Sequence, residues 1–173
     1  LDPINKELIE PRIGAARNNR QYQLRTLLDL NTKISFGSDW PVTSHKPLEA
    51  IFIPVLRKVP GSKNEPWNLN EAITLEESLT SYTTNAAFQL FSESEIGQIA
   101  PEMRANFVFL DKNPFETTDV KIKSVWIDGL EVKADQKLQS QVSQVFHGHH
   151  LVQLRQTVFH LQGLRMNVQS ERH

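Results

Sequence analysis

Apolar side chains recur at helical spacing in three stretches of the first half of the chain. They predict helices over residues 20–30, 47–59 and 73–82, each with one apolar face directed toward a core. Asn31 follows the first helix and suits a left-handed C-cap. Pro54 lies inside the second helix, so we expect a kink or a break there.

Two capping signals mark helix starts near the middle of the chain. Thr74 and Glu77 have the spacing of a capping box, in which each side chain accepts a backbone N–H from the other residue. Thr84 or Asn85 is expected to cap a second helix that follows directly. Residues 1–20 are polar and contain two prolines, which predicts loops around one short irregular helix.

A short apolar run at residues 33–37 predicts a buried strand, because Ile34 and Phe36 favour β structure. Pro41 has no backbone donor and ends the strand. Asp39 is therefore expected at the carboxyl end of a strand, which is where α/β folds build their active sites. The preceding helix, a short turn and this strand make one α/β step.

Residues 96–133 change to a β pattern. Strands are predicted over residues 96–99, 106–111 and 120–127. Asp128-Gly129 is a strong signal for a two-residue hairpin turn, after which the chain returns as a further strand. This part of the chain is therefore expected to be a small antiparallel sheet.

The composition excludes several classes of function. The chain has 173 residues, of which 39% are hydrophobic and 23% charged, as is typical of a globular domain. A net charge of -1 gives no attraction to nucleic acid or to an anionic membrane surface. There is no cysteine, which excludes disulfides and thiolate metal sites. The chain opens at Leu1 without an initiator Met, so we expect the natural gene product to start upstream.

Asp39 is the main candidate for chemistry, and a turn or N-cap aspartate is the alternative. His45, in the following loop, either faces a substrate or is a surface residue. Trp40 and Trp67 are candidates for lining a pocket, with core packing as the alternative for Trp67. Clustered arginines near the start are more typical of a solvated basic face than of a substrate site: Arg12, Arg17, Arg20 and Arg25.

The last stretch, residues 134–173, is rich in Gln and His and predicts at most a weakly amphipathic helix. His147, His149 and His150 have a spacing that is found in metal sites. They lie in a polar stretch, which favours surface histidines over metal ligands. We therefore assign this tail no function.

Several motifs in order resemble the amidohydrolase superfamily, in its amidohydrolase 3 type branch that is typified by N-substituted formamide deformylase. The segment Phe36-Gly-Ser-Asp-Trp-Pro-Val42 looks like the eighth barrel strand of that family. The resemblance covers roughly residues 3–133. Its other parts are similar to the segment before the last barrel helix, to the helix after strand eight and to a following helix pair: Pro11–Arg17, Pro47–Ile51, and Leu75–Leu79 with Tyr82–Ala87.

The resemblance implies an α/β fold that is the C-terminal fragment of a metal-dependent (β/α)8 TIM barrel, with its last helix, strand 8 and the following helices, plus part of a small β-sandwich. It assigns residues 1–95 to the barrel and 96–133 to the sandwich, and leaves 134–173 unassigned. One departure is visible. Where the family usually has Gly-Lys-x-Ala-Asp, this chain has Met103-Arg104-Ala105-Asn106.

The resemblance also implies metal-dependent hydrolysis of carbon–nitrogen bonds other than peptide bonds. In the family, the aspartate that matches Asp39 touches the catalytic metal and shuttles the proton of the hydrolytic water. This makes Asp39 the catalytic and metal-contacting residue, with Trp40 and His45 as candidate substrate contacts. The expected cofactor is a divalent metal, Zn²⁺ first, whose other ligands come from family strands that precede this segment. We therefore expect the chain alone to be inactive.

The partner that the resemblance implies is a small-molecule amide-type substrate, with neither nucleic acid nor membrane. The unpaired sheet edges of such a fragment invite pairing with another chain, so a homo-oligomer is also expected. The expected localisation is cytoplasmic, with any signal region upstream of residue 1.

Two alternatives remain open at this point. One is a non-enzymatic α/β domain that binds a partner through the Gln/His-rich tail. The other is an inactive paralogue that keeps the fold and has lost the site.

Overall fold

The computed structural model describes residues 3–132 of the chain. Residues 3–36 and 48–132 belong to one compact unit, and residues 37–47 belong to another. The predicted helix of the tail and the tail histidines lie outside the described residues.

Three helices open the chain: α1 (Pro3–Ile13), α2 (Ala15–Asn18) and α3 (Leu24–Asp29). The loops that we predicted for the first twenty residues are therefore wrong, since this stretch is mostly helical. Gly14 separates α1 from α2 with φ 76°, a conformation that glycine adopts without strain. Asn31 has φ 58°, which confirms the left-handed residue expected after α3.

The next helix, α4 (Pro47–Leu56), begins at the predicted proline and continues through Pro54 without a break. It is shorter than predicted because Arg57 adopts the left-handed conformation, with φ 56°. Its inner face contributes Ile51 and Phe52 to the core. A short 3₁₀ turn, Leu69–Glu71, follows.

The capping box at the start of α5 (Leu75–Tyr82) is confirmed. The Thr74 hydroxyl accepts the Glu77 N–H at 3.1 Å, and the Glu77 carboxylate accepts the Thr74 N–H at 2.8 Å. Ser78 and Ser81 lie on the buried face of this helix, and the Ser78 hydroxyl donates to the Ile51 carbonyl of α4 at 2.7 Å.

The helix α6 (Thr84–Gln89) begins at Thr84, so neither Thr84 nor Asn85 is its N-cap and that prediction is wrong. Thr83 occupies the N-cap position without a side-chain hydrogen bond. The Thr84 hydroxyl instead donates to the Gly97 carbonyl at 3.0 Å, and the Asn85 amide donates to the Ile34 carbonyl at 3.0 Å. Both side chains bind distant backbone instead of their own helix.

The strand predicted over residues 33–37 is not formed within the described part of the chain. Residues 32–38 lie in neither helix nor strand. A parallel strand needs a neighbouring strand for its ladder, and here the Phe36 N–H donates to the Ser81 carbonyl of α5 at 3.1 Å. A helix end thus takes the place of a neighbouring strand.

A three-stranded antiparallel sheet closes the described region, with β1 (Phe107–Leu110), β2 (Ile122–Ile127) and β3 (Leu130–Glu131) in that order. The predicted hairpin is confirmed, since Asp128 and Gly129 have φ 51° and 79°. The strand predicted over residues 96–99 is wrong, because residues 96–98 form a bend and residue 99 belongs to no helix or strand.

Aromatic side chains dominate one face of this sheet. Phe107 stacks on Trp126 at a centroid distance of 5.7 Å, and Phe109 meets both rings edge-on. Phe109 is nevertheless 52% exposed, and Val108, on the opposite face, is 48% exposed. Both faces of β1 therefore present apolar surface to solvent.

The core of the helical part is small and contains polar side chains. Its buried apolar residues are Ile51, Phe52, Ile73 and Ala87, and its buried polar residues are Asn18, Arg57, Glu71, Ser78 and Ser81. Among the residues that the structure describes, no helix has the length and apolar character of a membrane span.

Candidate functional site

Asp39 lies in a tight turn. It is left-handed, with φ 50°, and its carbonyl accepts the Val42 N–H at 2.8 Å. Trp40 and Pro41 occupy the centre of the turn, and the peptide bond between them is cis. Aspartate is one of the few residues other than glycine that tolerate the left-handed region, which suits this position.

The carboxylate of Asp39 is exposed, and within residues 37–47 it accepts no hydrogen bond. The sequence explains this. An aspartate in a turn normally accepts the backbone N–H two residues later, and that residue here is Pro41, which has no N–H. The local partner that would occupy the carboxylate is therefore removed, and its oxygens stay available.

Other side chains hold the turn together. The Ser38 hydroxyl accepts the Trp40 N–H at 3.3 Å, and the Thr43 hydroxyl donates to the Ser38 carbonyl. Farther along, the Ser44 hydroxyl accepts the Lys46 N–H at 3.3 Å. Small hydroxyl residues thus perform the structural hydrogen bonding, and the carboxylate is not used for it.

The other predicted site residues have separate places. Trp40 follows Asp39 directly and is half-buried, whereas His45 is exposed. Within residues 37–47 no hydrogen bond or ion pair joins His45 to Asp39. Trp67 packs edge-on against Tyr22 at a centroid distance of 6.1 Å, which is the packing alternative of the two that we considered.

The described residues do not form a metal site by themselves. A catalytic zinc site takes three protein ligands, and no group of three His, Asp or Glu side chains that could hold a metal is found among residues 3–132. Asp39 is a single carboxylate of the kind that binds divalent cations. The residues present therefore do not fit a complete site, and further ligands would have to come from elsewhere.

The segment that enters the Asp39 turn is fixed by the junction of α5 and α6. The Ser81 carbonyl and the Asn85 amide bind the backbone of Phe36 and Ile34, and the Ser35 hydroxyl donates to Gln89. The sequence pattern gives no signal for Ser81 and predicts a cap at Asn85, because no local pattern shows which distant backbone group a helix end will bind.

Tyr82 reinforces this junction. Its ring meets Phe36 edge-on at a centroid distance of 5.5 Å. Burial raises the pKa of Tyr82 to about 12, so the phenol is neutral at physiological pH. The contact of the Tyr82 ring with Phe36 therefore adds to the three hydrogen bonds that hold the segment.

A buried polar network ties the end of α4 to α3 and the 3₁₀ turn. Arg57 is 1% exposed and donates from Nε to the Trp67 carbonyl at 3.0 Å and from Nη1 to the Tyr22 carbonyl at 3.3 Å. Glu71 accepts the backbone N–H of Thr26 at 2.9 Å and its hydroxyl at 2.5 Å. Burial lowers the pKa of Arg57, while the charge of Glu71 acts in the opposite direction.

Comparison with known proteins covers the same region. The model of the Amidohydrolase family matches residues 1–133. N-substituted formamide deformylase of Arthrobacter pascens is 31% identical over 63% of this chain and 21% of its own length. The protein LONG AFTER FAR-RED 3 of Arabidopsis thaliana is 29% identical over 62% of this chain and 18% of its own. The chain thus spans about a fifth of the length of these relatives.

Two further comparisons agree. The putative amidohydrolase YtcJ of Bacillus subtilis is 31% identical over 60% of this chain and 20% of its own length. The crystal structure of an amidohydrolase from Thermotoga maritima superposes with a TM-score of 0.52 at 24% identity, over 66% of this chain and 26% of that one. This structural likeness concerns the fold. With a family model that matches all of the described region, the chain belongs to the amidohydrolase family.

Proposed function

We propose that this chain is the C-terminal part of a metal-dependent amidohydrolase that cleaves carbon–nitrogen bonds other than peptide bonds in small molecules. The observation that carries the proposal is the exposed Asp39 carboxylate, which stands inside the family match and has no hydrogen bond within its own turn. The name of one relative gives N-substituted formamides as the first substrate class to test.

The role proposed for Asp39 is proton transfer beside the metal. A carboxylate can accept the proton of a hydrolytic water and then pass that proton to the leaving nitrogen. The divalent cation, for which Zn²⁺ is the first candidate, acidifies that water when it is bound. Trp40 and His45 are the proposed substrate contacts, since both follow Asp39 within the same segment.

The architecture proposed for the complete protein is a (β/α)8 barrel and a β-sandwich. Residues 1–95 belong to the barrel, 96–133 to the sandwich and 134–173 to a tail without assigned function. The apolar surface on both faces of β1 supports covering segments from elsewhere. So does the match to the deformylase, which covers only 21% of that relative's length. The chain alone lacks a full ligand set among its described residues, so we propose that it is inactive by itself.

The test is an assay of the longer protein on an N-substituted formamide, with formate release as the readout. Asp39→Asn is expected to lower kcat by about 10²–10⁴-fold, because a general base is removed while its shape is kept. Glu93→Gln changes an exposed carboxylate outside this turn and should leave kcat unchanged. Removal of divalent metal by a chelator should abolish activity, and Zn²⁺ should restore it.

Full activity of Asp39→Asn would overturn the role of Asp39. Turnover by the isolated 173-residue chain would overturn the claim that it is inactive alone. Lack of hydrolysis by a folded, metal-loaded longer protein on formamides and on other amides would favour the inactive paralogue or the partner-binding domain.

A further inference from the structure

We propose that Asn85 is a positioning residue for Asp39, and that it acts together with the backbone of Ser81. The two hold the segment Ile34–Phe36, from which the chain enters the Asp39 turn. This inference rests on the proposed function, because it assigns Asn85 a share in placing the group that transfers the proton.

The two hydrogen bonds are made by backbone groups that lie two residues apart in the segment. The Asn85 Nδ2 donates to the Ile34 carbonyl at 3.0 Å, and the Ser81 carbonyl accepts the Phe36 N–H at 3.1 Å. In a sheet, a neighbouring strand would provide this pair of one donor and one acceptor. Here a side-chain amide and a helix end provide it.

The Ser81 carbonyl is available because of where α5 ends. It belongs to the last turn of the helix, where carbonyl groups have no partner within the helix. Thr83, with φ -116° and ψ -88°, interrupts the helical path before α6 starts. Ser81 itself is 1% exposed, and its hydroxyl donates to the Glu77 carbonyl at 2.8 Å, so the acceptor is rigidly held.

The position of Asn85 requires a hydrogen-bond donor, which its amide provides and which aspartate or alanine would not provide. Ile34 is half-buried, and its carbonyl needs a donor. Aspartate would present a carboxylate to a carbonyl oxygen, and alanine would leave the carbonyl without a partner. The position therefore demands a donor, and an ordinary helix position has no such requirement.

The segment Ile34–Phe36 can affect catalysis because it lies close to Asp39 along the chain. Phe36 is separated from Asp39 only by Gly37 and Ser38. A displacement of about 1 Å in a reacting group can cost about 10²-fold in rate. Loosening Ile34 and Phe36 is therefore expected to change kcat, and it should leave KM nearly unchanged because Asn85 does not bind substrate.

The experiment uses the longer protein and compares Asn85→Ala and Asn85→Asp with Thr84→Val. The control is closely matched, because Thr84 is the adjacent residue of α6 and also donates one side-chain hydrogen bond to a distant carbonyl, that of Gly97. The readouts are kcat and KM for formate release, the melting temperature, and deuterium exchange of peptides that cover residues 33–38.

We expect both Asn85 variants to lower kcat by about tenfold, with KM within about twofold, as loss of one buried hydrogen bond predicts. Exchange at residues 33–38 should become faster by a similar factor. Thr84→Val should lower the melting temperature comparably but leave kcat and this exchange unchanged. Asn85→Gln keeps the amide, so its kcat should be higher than that of Asn85→Ala and Asn85→Asp. If those two variants fail to fold, Asn85→Gln is measured in their place.

Equal kcat values for Asn85→Asp and Thr84→Val in folded proteins would overturn the inference. So would a loss of kcat without faster exchange at residues 33–38. Asp39→Asn, measured in parallel, separates the two claims. If it is inactive while the Asn85 variants are fully active, only the positioning role of Asn85 fails. A fully active Asp39→Asn would instead overturn the role that the proposed function gives to Asp39.

Discussion

Arg25 and Glu77 form an ion pair that joins α3 to the capping box of α5. Arg25 Nη1 lies 2.7 Å from one carboxylate oxygen of Glu77 and 2.9 Å from the other. The same carboxylate accepts the Thr74 N–H. One side chain thus caps its own helix and anchors a second one.

This double role predicts a pH-dependent stability. Burial alone would raise the pKa of Glu77, but the hydrogen bonds from Thr74 and Arg25 outweigh it and the pKa lies below the ordinary value of 4.5. Because the folded-state pKa is depressed, the stabilisation is present above pH 4.5 and is lost as the pH falls through the folded-state pKa.

The test is urea unfolding of Glu77→Gln between pH 3 and pH 7. Gln still serves in a capping box, so the variant should be less stable than the parent at neutral pH and equally stable at the acid end. Thr74→Ala should cost about 1 kcal/mol through the lost cap. A constant difference between parent and Glu77→Gln at every pH would contradict the pairing.

The buried guanidinium of Arg57 predicts a large cost of substitution. Arg57→Met keeps the length and removes the donors to the Trp67 and Tyr22 carbonyls, and it leaves the Glu71 carboxylate without its compensating charge. We expect a loss of about 3 kcal/mol in the free energy of unfolding.

A double-mutant cycle with Glu71→Gln isolates the coupling of the two charges. The losses should sum to more than the loss of the double variant, by at least about 0.5 kcal/mol. Simple additivity would show that Arg57 acts only through its carbonyl partners.

The close packing at Gly97 predicts that replacing it by alanine costs more stability than the same change at Gly61. A Cβ at Gly97 would lie 2.7 Å from the Ala87 Cβ and 3.1 Å from the Thr84 Cα, and φ is 99°. Gly61 has φ 75° with nothing within 4 Å of such a Cβ. Gly97→Ala should therefore cost about 2–4 kcal/mol and Gly61→Ala about 1 kcal/mol, as chemical denaturation can measure. Equal losses would mean that the turn at Gly97 does not press against α6.

Glu102 offers a stabilising substitution. It is exposed and has φ 69°, a region where side chains other than glycine, Asn and Asp are strained. Glu102→Gly should raise the free energy of unfolding by about 0.5–1 kcal/mol, after the greater freedom of glycine in the unfolded chain is subtracted.

Glu93→Gly is the control for Glu102→Gly, because Glu93 is exposed and does not have a positive φ. It should be destabilised by about 0.5–1 kcal/mol. A melting temperature that falls for both variants would refute the strain at Glu102.

Local signals in the sequence predicted local structure well. The capping box of Thr74 and Glu77, the left-handed Asn31 and the Asp128-Gly129 hairpin each depend on hydrogen bonds or dihedral preferences within a few residues. Composition and residue pattern therefore suffice for them. The family was also identified correctly, since its motifs occur in order along the chain.

Three of the errors share a physical cause, which is contact with distant parts of the chain. Asn85 has a cap residue's propensity, but the Ile34 carbonyl, 51 residues away in sequence, takes its amide. Residues 33–37 have the composition of a strand, yet their partner is a helix end. Gly97 packs against α6, and the predicted strand at residues 96–99 has no ladder there. The catalytic role of Asp39 and its contact with a metal stay predictions.

Two serines of α5, Ser78 and Ser81, bind the residues on either side of the segment 37–47. Ser81 binds Phe36 immediately before the segment, and Ser78 binds Ile51 in the helix that follows it. An insertion or deletion within residues 37–46 would change a loop that is closed at both ends, and the entropy of such a loop varies slowly with its length. The loop can therefore change in length at little cost in stability, because the contacts of Ser78 and Ser81 lie outside it.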